Sequence, residues 1–248
     1  LAAVAGPLLG GFFSDSSTVF GVAGWRWIFY INLPFGILAL ILTSSSLRTS
    51  NLRREHSIDY AGAILMVSSV TALLVGISVI GPENGWSNIK TLATLGSAFL
   101  LAVLFLLQEK RALEPILPLD LFKNHTFSLT SALGFIIGAG MFGAIIMLPL
   151  FLQVVQGDTA TAAGLKLIPF MLGIVSMSIL SGKLISKHGH YKRYPVTGLA
   201  IMTVGILLLS TLNQTTSFWK LAIYALLIGA GLGLSMQTIV IALQNSVE

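Results

Sequence analysis

The 248-residue sequence predicts an all-α membrane protein of about eight transmembrane helices. Three observations carry that expectation. Uncharged stretches cover residues 1–14, 27–47, 60–82, 91–108, 126–157, 167–182, 194–219 and 221–247. Charged residues are confined to the short intervals between them, and those intervals alternate between rich and poor in lysine and arginine. Only 9% of the residues are charged and 55% are hydrophobic, whereas a soluble domain carries roughly a quarter charged.

Helices are required because hydrocarbon offers no water, so each stretch has to satisfy its own N–H and C=O groups. Crossing about 30 Å takes roughly 20 residues at the helical rise, which most of the stretches approach. The first is shorter and reads as truncated. With Leu1 in place of a methionine and an abrupt end at Gln244-Asn245-Ser246-Val247-Glu248, the sequence is expected to be a piece cut at both ends. A transmembrane β-barrel is excluded by pattern, since its strands alternate apolar and polar residues over about ten positions. Ile64-Leu65-Met66-Val67 and the run 100–107 are apolar on every side.

The connections set the orientation. Arg48, Arg53 and Arg54 share one interval, Lys110, Arg111 and Lys123 the next but one, and Lys183, Lys187, Lys192 and Arg193 the next but one again. Arg26, Lys90, Lys166 and Lys220 fall in or beside the intervening loops. The positive-inside rule therefore places the first three intervals in the cytoplasm, and the first span runs from inside to outside. The net charge of +5 is split among small loops and forms no continuous basic face, so no nucleic-acid partner is expected. Gly81-Pro82-Glu83-Asn84-Gly85 reads as a turn, and Glu114-Pro115-Ile116-Leu117-Pro118 as a stiffened loop. Trp25, Trp27, Tyr30, Trp86 and Trp219 stand near span ends, where amphipathic rings favour the headgroup layer. Small residues recur at four-residue spacing in Ala2/Gly6/Gly10, Gly134/Gly138 and Gly229/Gly233, a spacing that lets helix backbones approach closely.

Several patterns are set aside. Gly138-Ala139-Gly140-Met141-Phe142-Gly143 has the form of a dinucleotide fingerprint but lies inside an apolar run with no strand before it. His56, His125, His188 and His190 have no metal-ligand spacing, cysteine is absent, and no nucleophile elbow occurs, so no metal, cofactor or enzymatic chemistry is expected. No acid or base lies at the centre of a span, which leaves no intramembrane proton carrier in this stretch. Polar amides and adaptable apolar side chains remain as cavity-lining candidates: Asn32, Phe142, Gln153, Met236 and Gln237.

Ala5-Gly6-Pro7-Leu8-Leu9-Gly10-Gly11, followed by Gly24-Trp25-Arg26-Trp27-Ile28-Phe29-Tyr30-Ile31-Asn32-Leu33-Pro34, resembles the fourteen-span drug:proton antiporter branch of the major facilitator superfamily, the EmrB/QacA type. Asp59-Tyr60-Ala61-Gly62, Phe151-Leu152-Gln153, Ala163-Gly164-Leu165 and Gln244-Asn245-Ser246-Val247 extend the likeness over the whole chain. The resemblance implies a helical bundle of that superfamily and a piece covering about spans five to twelve. Residues 1–58 would end the N-terminal bundle, 59–125 would hold two linker spans and a cytoplasmic connector, and 126–248 would be part of the C-terminal bundle. Gly6, Pro7, Gly10 and Gly11 correspond to the antiporter motif, which in the family seals the leak path.

The cytoplasmic gating loop would be Gly182 to Arg193, with Lys187, Gly189, Lys192 and Arg193 at matching positions. It departs from the family's pattern at Ser186, where an aspartate is usual, and at His190, where an arginine is usual. The resemblance further implies efflux of lipophilic, cationic small molecules across the cytoplasmic membrane, driven by a proton gradient, with the coupling aspartate in a span upstream. An adaptor and outer-membrane partner serve such proteins in double-membraned cells. A nutrient symporter of the same superfamily and a non-transporting polytopic protein stand as alternatives, the first disfavoured by Gly6-Pro7-x-x-Gly10-Gly11 and the second by the absence of catalytic polar clusters.

Overall fold

The computed structural model describes residues 2–46, 58–189 and 192–244. Arg48, Arg53, Arg54, His56, His190 and the stretch Asn245 to Val247 lie outside the described residues. The chain forms two compact units, Leu1–Arg48 with His125–Glu248, and Thr49–Asn124. Among the described residues, six helices are long and apolar enough to cross a membrane, and two shorter apolar helices of 14 and 17 residues occupy the first and seventh predicted stretches. Each of the eight predicted stretches thus holds a helix.

In the first unit, α1 (Ala2–Asp15) leads into a two-stranded hairpin, β1 (Thr18–Val19) and β2 (Val22–Ala23), which the sequence reading took for a plain loop. Strands of two residues carry no periodicity to read. Phe20 and Gly21 both hold positive φ at the tip, 50° and 75°, as a primed hairpin turn demands. Trp27 on α2 (Gly24–Tyr30) fastens the hairpin: its Nε1 donates to the Val19 carbonyl at 2.9 Å while its ring lies between Phe13 and Phe20. Gly24 is a point of close approach, since a Cβ there would strike the carbonyl oxygens of Phe13 and Ser16. After a break at Ile31, α3 (Asn32–Ser46) continues the span with no buried residue of its own.

The second unit is a pair of long helices. Asp59 caps α4 (Tyr60–Val75) by accepting a hydrogen bond from Gly62 N at 2.9 Å. The helix then widens into a π-turn (Gly76–Ile80) and continues as α5 (Gly81–Asn84), so the predicted turn at Gly81 to Gly85 begins four residues late. Pro82 sits in the first turn of α5, where it disturbs little, and the chain reverses only at Gly85, with φ 87°. Asn88 caps the returning helix, α6 (Ile89–Glu109). Within the apolar pair, Ser69 Oγ donates to the Ala98 carbonyl at 2.8 Å, a bond of the kind worth about 0.6 kcal/mol between membrane helices. A short 3₁₀ turn (Leu119–Lys123) ends the unit.

The first unit resumes with α7 (His125–Leu150), which carries Pro149 and opens into a π-turn (Phe151–Val155). Pro149 cannot donate to the carbonyl one turn earlier, and the widened turn directly after it is a common accommodation of such a break. Next come α8 (Ala160–Lys166), α9 (Ile168–His188), α10 (Arg193–Leu209) and α11 (Phe218–Gln244). The core of this unit gathers Phe170, Met202, Ala225, Ile228 and Leu232.

Glycines set how closely α11 packs. A Cβ on Gly229 would strike the Phe170 carbonyl and one on Gly233 the Ile174 carbonyl, both on α9, while Gly231 faces Gly198 on α10. The predicted pair Gly134/Gly138 does not make such a crossing, because Gly138 has nothing within 4 Å and Gly134 only the Ile239 side chain at 3.9 Å. Buried hydroxyls on these helices make their shortest bonds within their own ladder, Ser235 Oγ donating to Gly231 O at 2.8 Å and Thr238 Oγ1 to Leu234 O at 2.8 Å, while Ser235 also reaches Pro195 O on α10 and Ser181 reaches Gly233 O on α11, both at 3.5 Å. Replacing Gly233 with leucine is expected to lower the thermal midpoint of the detergent-solubilised protein, at an overpacking cost of roughly 1–3 kcal/mol or more. Gly138→Ala should leave that midpoint unchanged.

Candidate functional site

The glycine- and proline-bearing helix α1 packs against the start of the α8–α9 span. Pro7 interrupts the helix ladder, and the residues around it are small enough for backbone to meet backbone. A Cβ on Gly11 would lie 2.5 Å from the Ala160 carbonyl oxygen and 2.9 Å from Thr161 Cα. The contact is reciprocal: a Cβ on Gly164 would collide with the Pro7 carbonyl. Gly6 and Gly10 have open space beside them instead, and Gly10 faces a cavity.

That cavity has a volume of about 340 Å³. Pro7, Gly10, Gly11 and Ser14 form its α1 wall, Ile145, Pro149 and Gln153 its α7 wall, and Gly164, Leu167 and Phe170 belong to its α8–α9 wall. Two proline-interrupted helices therefore flank it, and Gln153, inside the π-turn, is its one side-chain amide. A second cavity of about 330 Å³ between α7 and α10, lined by Gly140, Gly143, Met147 and Ile206 among others, is apolar throughout.

At one end of the α1–α8 contact, Asp15 spans the two elements. Its Oδ1 accepts from Ala160 N at 2.9 Å and its Oδ2 from Thr161 N at 2.7 Å. Thr159 Oγ1 takes Ala162 N at 3.2 Å, so the first three amides of α8 all have acceptors. These hydrogen bonds, foremost those of Thr161, hold the Asp15 carboxyl down at about 2, below its ordinary 3.8. Sequence reading missed Asp15 because a lone acid after an apolar run looks like any loop charge. The amides opening α8, 145 residues later, were the missing half of the signal. Beside it, Lys166 pairs with Asp158 at 2.5 Å and also donates to Gln156 Oε1 at 3.2 Å, and Gln156 Nε2 donates to the Thr216 carbonyl.

The other sequence candidates are dispersed. Asn32 is exposed and turns its amide back onto the Ile28 carbonyl at 2.9 Å. Phe142 is exposed on α7 outside both cavities, and Met236 is exposed on α11. Gln237 reaches toward α9, its Cγ 4.0 Å from where a Gly182 Cβ would sit. Gly182, Lys183 and Lys187 are not loop residues, since α9 runs on to His188 and stops at Gly189, whose φ of 69° and N–H to Ile185 O at 2.8 Å make an αL cap. Lysines end an apolar run without ending the helix, which is why the loop was read too long. Lys192 and Arg193 stand exposed at the start of α10. The fingerprint-like glycines 138, 140 and 143 lie mid-helix in α7, and Asp158 is engaged with Lys166.

Fold and site together define an all-α, multi-span membrane protein with a cavity held open between proline-interrupted, glycine-thinned helices. The chain belongs to the Major Facilitator Superfamily, which it matches over residues 1–248. It is 38% identical over 246 residues to the multidrug transporter protein MdtP of Bacillus subtilis (strain 168), covering 99% of this chain and 44% of that protein. A tetracycline resistance determinant of Streptomyces rimosus is 41% identical over 190 residues, 76% of this chain and 54% of its own length. Multidrug resistance protein 3 of Bacillus subtilis (strain 168) is 30% identical over 248 residues, which is 47% of that protein. The chain thus spans about half the length of the relatives it matches.

The Asp15 clasp sets a pH expectation. Its folded value lies below the ordinary one, so its contribution is fully present above 3.8 and is lost as pH falls through about 2. Hydrogen exchange at Ala160 and Thr161, corrected for intrinsic rates, should show constant protection across the physiological range. Asp15→Ala should reduce that protection several-fold throughout that range.

Proposed function

We propose that this chain is the spans-five-to-twelve portion of a fourteen-span drug:proton antiporter, expelling lipophilic and cationic compounds across the cytoplasmic membrane by alternating access. The observation that carries it is the backbone-to-backbone seam of Gly11 and Pro7 on α1 with Ala160 and Gly164 on α8, flanked by a cavity that contains Gln153. Such a seam can part and close again without unpacking side chains. The names of the relatives, two multidrug proteins and a tetracycline resistance determinant, support a drug as cargo.

In this reading the basic intervals around Lys110, Arg111, Lys183 and Lys187 face the cytoplasm, so Asp15 and the seam close the outer side. Gly6, Pro7, Gly10 and Gly11 form the outer seal, and Asp15 positions it by fastening α1 to α8. Gln153 offers a substrate both a donor and an acceptor at the cavity wall. Asn32, Phe142, Met236 and Gln237 would contribute from other conformations of the cycle, and Gly182 with Lys187, Gly189, Lys192 and Arg193 would frame the opposite gate. The proton-carrying aspartate would lie upstream of residue 1. Neither the fold nor the relatives' names support an adaptor or an outer-membrane partner, and the proposal does not extend to one.

The test is transport by the complete protein in proteoliposomes. An imposed pH gradient should drive efflux of a fluorescent lipophilic cation, and no gradient-driven movement of any dye or drug would overturn the reading. Pro7→Leu should cut the rate at least about tenfold by stiffening the seam while the protein stays folded. Gln153→Ala should lower kcat/KM roughly two- to tenfold for substrates that hydrogen-bond, and little for purely apolar ones.

A further inference from the structure

The two helices of the second unit meet at one end through carboxylates that the transport reading does not use. Asp59 Oδ1 is satisfied twice, by Gly62 N at 2.9 Å and by Gln108 Nε2 at 3.1 Å. Glu109, the last residue of α6, is only 3% exposed, and its Oε2 accepts from Leu117 N at 2.9 Å, folding the proline-rich loop back onto the helix. Each carboxylate keeps one oxygen, Asp59 Oδ2 and Glu109 Oε1, buried and without a hydrogen-bond partner.

Both orphaned oxygens lie against Gly62. A Cβ there would sit 3.2 Å from Glu109 Oε1 and closer still to Asp59 Oδ2, so only a glycine lets the two carboxylates stand this near the α4 backbone and one another. Two buried acceptors of like charge against one glycine repel each other unless a positive charge stands near them. No basic side chain among the described residues pairs with either: Lys110 and Arg111 next along the chain are exposed, as are Tyr60 and Glu114. No group of three or more potential metal-ligating side chains occurs among the described residues, so the ligand set is these two carboxylates and nearby backbone.

We infer that Asp59 Oδ2 and Glu109 Oε1 bind one hard metal ion at the junction of α4 and α6, and that the bound ion fastens the pair. Carboxylate oxygens are the donors that sodium, magnesium and calcium prefer. The position at the α4–α6 junction, where the chain enters and leaves this helix pair, makes the cation a clamp on the linker unit and not a cargo ligand.

The experiment is thermal unfolding of the complete protein in detergent, starting in chelated choline chloride buffer. Sodium, potassium, magnesium and calcium chlorides are each titrated at fixed pH. A saturable rise in midpoint with one of them is expected and identifies the ion. That response should be lost in Asp59→Asn and in Gly62→Ala, whose methyl crowds Asp59 Oδ2. Glu109→Gln, whose amide can donate to Asp59 Oδ2, should hold the raised midpoint with no metal ion added. A wild-type midpoint indifferent to every metal ion overturns the inference, and so does a response that survives unchanged in Gly62→Ala.

Discussion

Close backbone approach between helices is the constraint on which the first unit depends. Lipid is as apolar as leucine, so no hydrophobic force gathers these helices and van der Waals contact with a few hydrogen bonds has to do it. Contact of that kind falls off steeply with distance, and only positions without side chains bring two helix surfaces near enough. Gly229 and Gly233 against α9, Gly231 against Gly198 of α10, and Gly11 and Gly164 between α1 and α8 are those positions. The buried hydroxyls of Ser235 and Thr238 make their shortest bonds within their own helix, and Ser235 adds a longer one to α10.

The α1–α8 seam differs from the α9–α11 crossing in what surrounds it. At α11 the glycines sit in a filled core with Phe170, Ile228 and Leu232 fully buried. At α1 the seam has Gly11 in contact, Gly10 facing open volume and Pro7 breaking the ladder, and the cavity wall opposite has its own interruption at Pro149. A helix with unmade backbone bonds and little side-chain interdigitation changes register at low cost, so the two glycine-mediated contacts suit different tasks, one static and one able to part. Asp15 adds an electrostatic tie that works at any physiological pH, because its hydrogen bonds keep it ionised far below neutrality.

Much of this was legible in the chain. The positions of the apolar runs foretold every span, since a helix is the one local answer to a dry environment. The seam helix was legible from Pro7 with its glycines, whereas the Asp59 cap was not, since Asp59-Tyr60-Ala61-Gly62 stood out only for its family likeness. Other readings came out differently for physical reasons. Glycine spacing alone overrated Gly134/Gly138, because whether a second helix occupies that face is not a local property. Gln153 and the seam glycines came together at a cavity, whereas Asn32 found its partner four residues back, at the Ile28 carbonyl of α2.

By itself, then, the sequence determined that the chain lies in a bilayer and where its long apolar helices fall, because hydrocarbon thickness and the cost of burying charge act on each segment separately. Tertiary structure alone decided which glycines touch backbone, that Asp15 caps a helix beginning 145 residues later, and that Asp59 and Glu109 bring two unpartnered oxygens to one glycine. Those are pairings between segments distant in sequence. They depend on how helices cross, and no single helix carries that information.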